Sequence, residues 1–194
     1  MNPKINSIAL FGTSADPPTL GHKALLNELT KIFPKVITWA SDNPDKNHHI
    51  SLIKRTQLLR ILVKKISHPN LELVQELSSP RTIHTLKKAI QLWPNASLSF
   101  VIGSDLAAQI PKWLNARSIL SKAAIAITMR DGWPISDNQL DEIKNLGGEI
   151  DLLPFNIPES SSSKFRERPQ EVLVPQELVP LLIEENLYGL ADNK

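Results

Sequence analysis

The sequence predicts an α/β fold, an open and largely parallel sheet with helices on both faces. Two observations predict it. Apolar runs of about five residues alternate along the chain with longer stretches of helical period, the pattern of βα units. The first run, Ile8-Ala9-Leu10-Phe11, then breaks into a glycine, two hydroxyls and two prolines before resuming as a helix, which is a strand–loop–helix in order.

The strands are expected at Ser7–Phe11, Val36–Ala40, Leu71–Val74, Leu98–Ile102, Ala123–Thr128 and Ile150–Leu153. Between the first two, Leu25, Leu26, Leu29, Ile32 and Phe33 share one helical face, and Pro34 ends that helix, completing a βαβ unit. A second helix is expected from about Leu52 to Ile66, with Ser51 placed to cap it. A third follows Thr82, whose hydroxyl is an N-cap candidate, and stops before Pro94. Gly147-Gly148 closes a polar helix that starts near Ser136. The segment "PQELVPLLIEENLYGL" reads as a C-terminal helix docked by its leucines. The serine run Ser160–Ser163 has two readings: a slack surface loop, or a helix start whose hydroxyls and N–H groups face an anion.

A chain of 194 residues is expected to form one domain spanning 1–194, with the helical segment from about 160 to 194 packed on it. With 22 basic and 20 acidic side chains the net charge is +2, which argues against a general nucleic-acid binder working through a broad basic face. Any anion must be held by local geometry. The absence of cysteine excludes a disulfide scaffold and a cysteine metal site. The N-terminal apolar run is too short for a signal peptide and no run approaches membrane-spanning length, so a cytoplasmic protein without membrane contact is expected.

In an open α/β sheet, ligands settle beyond the carboxyl ends of the strands where the strand order reverses. The loop Gly12–Pro18 leaves such an end. Gly12 permits a tight turn and close backbone approach, and Pro17 and Pro18 stiffen the path into the helix. That helix presents unpaired N–H groups, a natural seat for phosphate. His22 lies three positions after Thr19 on the same face, so both can reach one anion. In isolation such a pair is a threonine cap followed by an ordinary half-buried histidine. Its place after strand, glycine turn and Asp-Pro points to a site.

"ALFGTSADPPTLGH" resembles the nucleotidyltransferase superfamily signature G-x-F-D-P-x-[HT]-x-G-H, and is similar in particular to that of the bacterial nicotinate (nicotinamide) mononucleotide adenylyltransferases. The likeness spans nearly the whole chain. "NPDK" (Asn43–Lys46) stands where that family has P-P-H-K, and "SPRTIHTL" (Ser79–Leu86) is similar to P-S-Y-T-x-x-T-L. "FVIGSDLAAQIPKW" resembles the F-I-I-G-x-D and P-x-W elements, and "SSSSKFRERP" the I-S-S-T-x-I-R-E-R signature.

The resemblance implies a Rossmann-like fold and a reaction joining the 5′-phosphate of a pyridine mononucleotide to the AMP part of ATP, with release of pyrophosphate. It implies that His22 contacts the α- and β-phosphates, with Thr19 donating beside it. Gly12, Thr13, Ser14, Asp16 and Gly21 then belong to the ATP loop, and Lys46 extends the anion clamp. Ser162, Ser163 and Arg166 fall on a second phosphate site. Thr82, Gly103, Asp105 and Trp113 match positions of the acceptor half, where Trp113 would stack on the ring. By position alone Trp113 could instead cover the core, and Asp105 could cap the next helix. Mg²⁺ would bridge ATP's own phosphates with no protein ligand, and His48-His49 is read as an exposed loop.

The chain departs from the pattern at Thr13, which replaces a second glycine, at Ser14 and at Ala15, which replaces an aromatic. Thr19 stands for the first histidine, as is usual in pantetheine-phosphate adenylyltransferases. Arg81 replaces a tyrosine and Leu114 an aromatic, both near the acceptor pocket. Two alternatives stay open: an adenylyltransferase acting on pantetheine phosphate, and a non-catalytic nucleotide-binding relative. Nicotinate and nicotinamide are not distinguished, and a homo-oligomer is left open.

Overall fold

In the computed structural model, which describes residues 6–157 and 161–191, six strands form one sheet in the order β3-β2-β1-β4-β5-β6. They are β1 Ser7–Thr13, β2 Lys35–Ala40, β3 Leu71–Leu73, β4 Ser97–Gly103, β5 Ala124–Arg130 and β6 Ile150–Ile157. Every neighbouring pair is parallel, so the sheet is wholly rather than largely parallel. The order reverses between β1 and β4, opening a crevice at their carboxyl ends.

Alternation along the strands builds two cores. Ile8 and Leu10 face one side with Trp39, Phe100 and Ile127, under α3 (Thr82–Leu92), α5 (Ala116–Leu120) and α6 (Asp137–Asn145). Ala9 and Phe11 face the other with Val36 and Ala126, under Leu25, Leu26 and Leu29 of α1 (Leu20–Ile32) and Leu59 and Leu62 of α2 (Leu52–Ile66). Burial on both faces explains the continuous apolar runs. β6 runs past the expected Leu153 through Pro154, which an edge strand tolerates because its outer N–H groups need no partner.

Ser51 caps α2, its hydroxyl accepting from the Lys54 N–H at 3.3 Å. Ser136 caps α6 in a reciprocal pair with Gln139, and Gly147 beyond that helix takes a left-handed φ of 90°. Thr82 is not the cap of α3: Arg81 holds that position without a side-chain cap, and Thr82 begins the helix.

The expected single C-terminal helix is broken. A 3₁₀ turn at Gln176–Leu178 leads into α8 (Val179–Glu184), and a second turn at Leu187–Gly189 follows. Asn186 and Tyr188 take left-handed φ values of 45° and 61°, which ends helical continuity. Its leucines do dock: Leu178, Leu182 and Leu190 pack with Leu58 of α2 and Phe165 of α7 (Ser162–Glu167). Ser160 and residues 192–194, at the limits of the expected C-terminal segment, lie outside the described residues.

Candidate active site

A cleft of about 860 Å³ lies at the crevice between β1 and β4. Gly12, Thr13, Ser14, Asp16, Gly21, His22, Lys46, Thr82, Gly103, Asp105, Trp113, Ser162, Ser163 and Arg166 all line it. Chain segments from both halves of the sequence therefore meet at one opening. Thr19 is the exception among the predicted residues, being fully buried behind His22 and away from the cleft wall.

That placement gives Thr19 a different task. It is the N-cap of α1, and its backbone N–H donates to Nδ1 of His22 at 3.0 Å, so histidine fills the third-position role that Glu or Gln takes in a capping box. Since a backbone N–H can only donate, Nδ1 is unprotonated and the neutral imidazole carries its proton on Nε2. Nε2 lies 2.8 Å from Thr13 Oγ1, to which it donates. Burial lowers the His22 pKa from 6.5 to about 4, with the charges of Arg130 and Lys46 pushing the same way. His22 is thus a neutral donor held by its cap.

The sign of this shift has a measurable consequence. The unfolded chain takes up the His22 proton near pH 6.5 and the folded chain only near 4, so folding stability contributed by this site falls as pH drops between those values and has no slope above them. Thermal midpoints of wild type and His22→Asn are expected to run parallel above pH 7, with the wild type falling more steeply from pH 6.5 to 4. Parallel curves through the whole window would contradict the neutral imidazole.

The glycine loop behaves differently from expectation. Gly12 is still in β1, and a Cβ there would sit 2.5 Å from the Trp39 ring, so its glycine is required by the indole beneath it rather than by a turn. Thr13 ends the strand without left-handed backbone; that conformation falls on Ala15, at φ 48°. A β-branched residue is therefore accommodated at 13, and its hydroxyl bonds both His22 and the Ala15 N–H.

The resemblance assigns Asp16 to the ATP loop, yet its carboxylate is 2% exposed and committed to protein donors, the His49 N–H at 2.8 Å and the Tyr188 hydroxyl at 2.7 Å. It anchors the loop rather than offering itself to a phosphate. Ser162 and Arg166 grip the same loop, the Ser162 hydroxyl donating to Pro17 O at 2.8 Å and the guanidinium to Asp16 O at 2.7 Å. The second Arg166 nitrogen bonds Ser163 Oγ at 3.2 Å. Of the two readings of the serine run, the helix start is the observed one, with Ser161 as the N-cap of α7.

Across the cleft, Asp105 does not cap the short helix α4 (Ser104–Ala107); Gly103 holds that position. Its carboxylate pairs with Arg130 at 2.9 Å, and the space a Cβ at Gly103 would take is filled by Asp105 and Arg130. Trp113 packs on the core, meeting Phe100 edge-on at 6.1 Å, and also borders the cleft. Arg81 pairs with Asp45 at 3.2 Å, so two departures from the family pattern face each other at the mouth. The Lys46 pKa is lowered by desolvation first; Asp105 opposes this, and Arg130 and Arg166 add to it.

Sequence reasoning missed Arg130, Arg55, Tyr188 and His48. Arg130, in the last position of β5, carried a signal, since a strand neighbouring β4 must end at the same crevice. Arg55 is 1% exposed and donates to Ser14 O at 2.8 Å and Ser41 O at 2.7 Å. His48 is not on an exposed loop as expected: it borders the cleft, with Nδ1 3.8 Å from Asp16, while His49 is exposed. Among the described residues, Ser14, His48, Asp105 and Thr128 each keep a buried polar atom without a protein partner, and all four border the cleft. Such atoms concentrate at functional sites.

Comparison with known proteins bears on the family and the fold. A family model described as cytidylyltransferase-like matches residues 10–168. A Synechocystis protein named "Probable nicotinate-nucleotide adenylyltransferase" is 34% identical over 93% of this chain and 98% of its own. The Bacillus subtilis "Nicotinate-nucleotide adenylyltransferase" is 27% identical over 95% of this chain and 99% of its own. The fold is shared with the Plasmodium falciparum nicotinic acid mononucleotide adenylyltransferase complexed with NaAD, with a TM-score of 0.78, 22% identity and coverage of 95% and 98% of the two chains. On a family model covering most of its length and a relative this similar from end to end, the chain belongs to the cytidylyltransferase-like family, among the nicotinate-nucleotide adenylyltransferases.

Proposed function

We propose that this enzyme transfers AMP from ATP to the 5′-phosphate of nicotinate mononucleotide, forming the dinucleotide and releasing pyrophosphate in NAD biosynthesis. A single observation carries the reading. The cleft brings the His22 donor together with Lys46, Arg130 and Arg166 at the reversal of strand order, in a chain that resembles nicotinate-nucleotide adenylyltransferases along its full length.

An acceptor phosphate oxygen attacks the α-phosphorus in line, the bond from that phosphorus to the bridging oxygen breaks, and pyrophosphate departs. Such a reaction needs positioning and charge stabilisation rather than a protein nucleophile. His22 Nε2–H turns from Thr13 to the α-phosphate, while Lys46 and Arg166 hold the departing end. Thr82, Gly103 and Trp113 receive the acceptor, with Trp113 offering its face to the ring. Mg²⁺ would come with ATP, neutralising charge on the phosphates. Asp16 is occupied by Tyr188 and His49, Asp105 pairs with Arg130 through Oδ2 alone, and among the described residues no three carboxylate or histidine ligands cluster, which suits an ion carried by the substrate rather than held in a protein cage. The same reading takes the whole chain as one nucleotidyltransferase domain working in the cytoplasm.

Pyrophosphate release from ATP tests it, with nicotinate mononucleotide, nicotinamide mononucleotide and pantetheine phosphate at equal concentration. The highest initial rate is expected with nicotinate mononucleotide. A faster rate with pantetheine phosphate would reassign the acceptor, and no release with any of the three would make the protein a nucleotide-binding relative.

A further inference from the structure

The loop joining β1 to α1 carries a donor at each end, Thr13 before it and the Thr19–His22 cap after it. Its shape is imposed from outside. Arg55 holds Ser14 O, Arg166 holds Asp16 O and Ser162 holds Pro17 O. The one side chain in the loop that is both charged and buried, Asp16, takes the Tyr188 hydroxyl on Oδ1 and the His49 N–H on Oδ2.

Tyr188 does not line the cleft. It reaches Asp16 from the C-terminal segment, across 172 positions of sequence. Its ring meets Phe165 of α7 edge-on at 5.7 Å, and Phe165 is fully buried. Its backbone takes the left-handed conformation at φ 61°, uncommon for a bulky residue and sustained only where surroundings enforce it. Burial, followed by the bond to Asp16, pushes its pKa upward, so the hydroxyl keeps its proton and remains a donor. A hydrogen bond to a buried carboxylate belongs to the strong class.

We infer that Tyr188 is a positioning residue: through the Asp16 carboxylate the C-terminal segment fixes the β1–α1 loop, and with it the reach of His22 and Arg166 toward a bound triphosphate. The effect on turnover rests on the adenylyl-transfer reading; the effect on nucleotide affinity rests on this geometry alone.

Tyr188→Phe keeps the ring against Phe165 and removes only the donor. Titration calorimetry on the folded full-length protein is expected to show a roughly tenfold loss of affinity for a non-hydrolysable ATP analogue. Affinity for nicotinate mononucleotide should be unchanged, whereas a merely structural role would weaken both. Amide exchange at His49, whose N–H shares the carboxylate, should accelerate. In an Asp16→Asn background the further loss from Tyr188→Phe should shrink, because the two residues form one coupled pair. An ATP-analogue affinity within about twofold of wild type would overturn the inference, as would equal losses in both backgrounds. A wild type that transfers AMP to no acceptor would refute the reaction instead, and the calorimetric comparison would still decide the role of Tyr188.

Discussion

Replacing His22 by alanine is expected to lower turnover by about 100- to 1000-fold, the usual cost of one preorganised donor to a developing oxyanion. The expectation follows from how His22 is held. A backbone N–H from its own cap fixes Nδ1 as acceptor, so Nε2 carries the proton before substrate arrives and has only to exchange the Thr13 hydroxyl for the phosphate. Because the ring is neutral, the loss should appear in turnover without the pH dependence of a titrating general acid near neutrality. His22→Ala turnover within about threefold of wild type would remove this residue from the mechanism. The same variant should keep its fold, since α1 remains anchored by Leu25, Leu26 and Leu29.

Arg55→Met is expected to produce the largest loss of stability, about 3–5 kcal/mol, as when one member of a buried charged network is deleted. Two part-buried carbonyls, Ser14 O and Ser41 O, would lose their donor, and the Asp16 carboxylate would lose a neighbouring positive charge. Thermal unfolding should show a midpoint lowered on the order of 10 °C for a chain of this size. Arg55→Lys should recover only part of it: Nη1 alone donates to both carbonyls, but a lysine ammonium on its shorter stem does not reach the same position and has no counterpart of the Nε bond to Ile50 O. A midpoint within about 2 °C of wild type would show that water replaces the lost donors at small cost.

The fold was legible because its signals are local. Two-sided burial wrote the strands as apolar runs, and Ser51, Ser136 and Gly147 marked helix ends through chemistry that acts within one turn. The cleft was legible beside a strand end, as at Asp105 beyond β4 and at His22 in the helix that follows β1, whereas Arg166 on α7 was reached only through the family resemblance. What escaped depends on distant partners. Arg55 looked like any charge on a helix, and Tyr188 like a docking aromatic, because neither carries a sign of the loop it reaches. Gly12 was read as a turn residue, whereas the indole that demands it lies 27 positions away in β2. The C-terminal helix failed on the left-handed residues Asn186 and Tyr188, whose conformation no helical period reveals.

The bond from Tyr188 to Asp16 also orders events in time. The loop is made 172 positions before Tyr188, so during synthesis Arg55 can hold Ser14 O well before the bond to the Asp16 carboxylate can form. A product truncated ahead of Tyr188 keeps the Arg55 hold but lacks the one on the carboxylate.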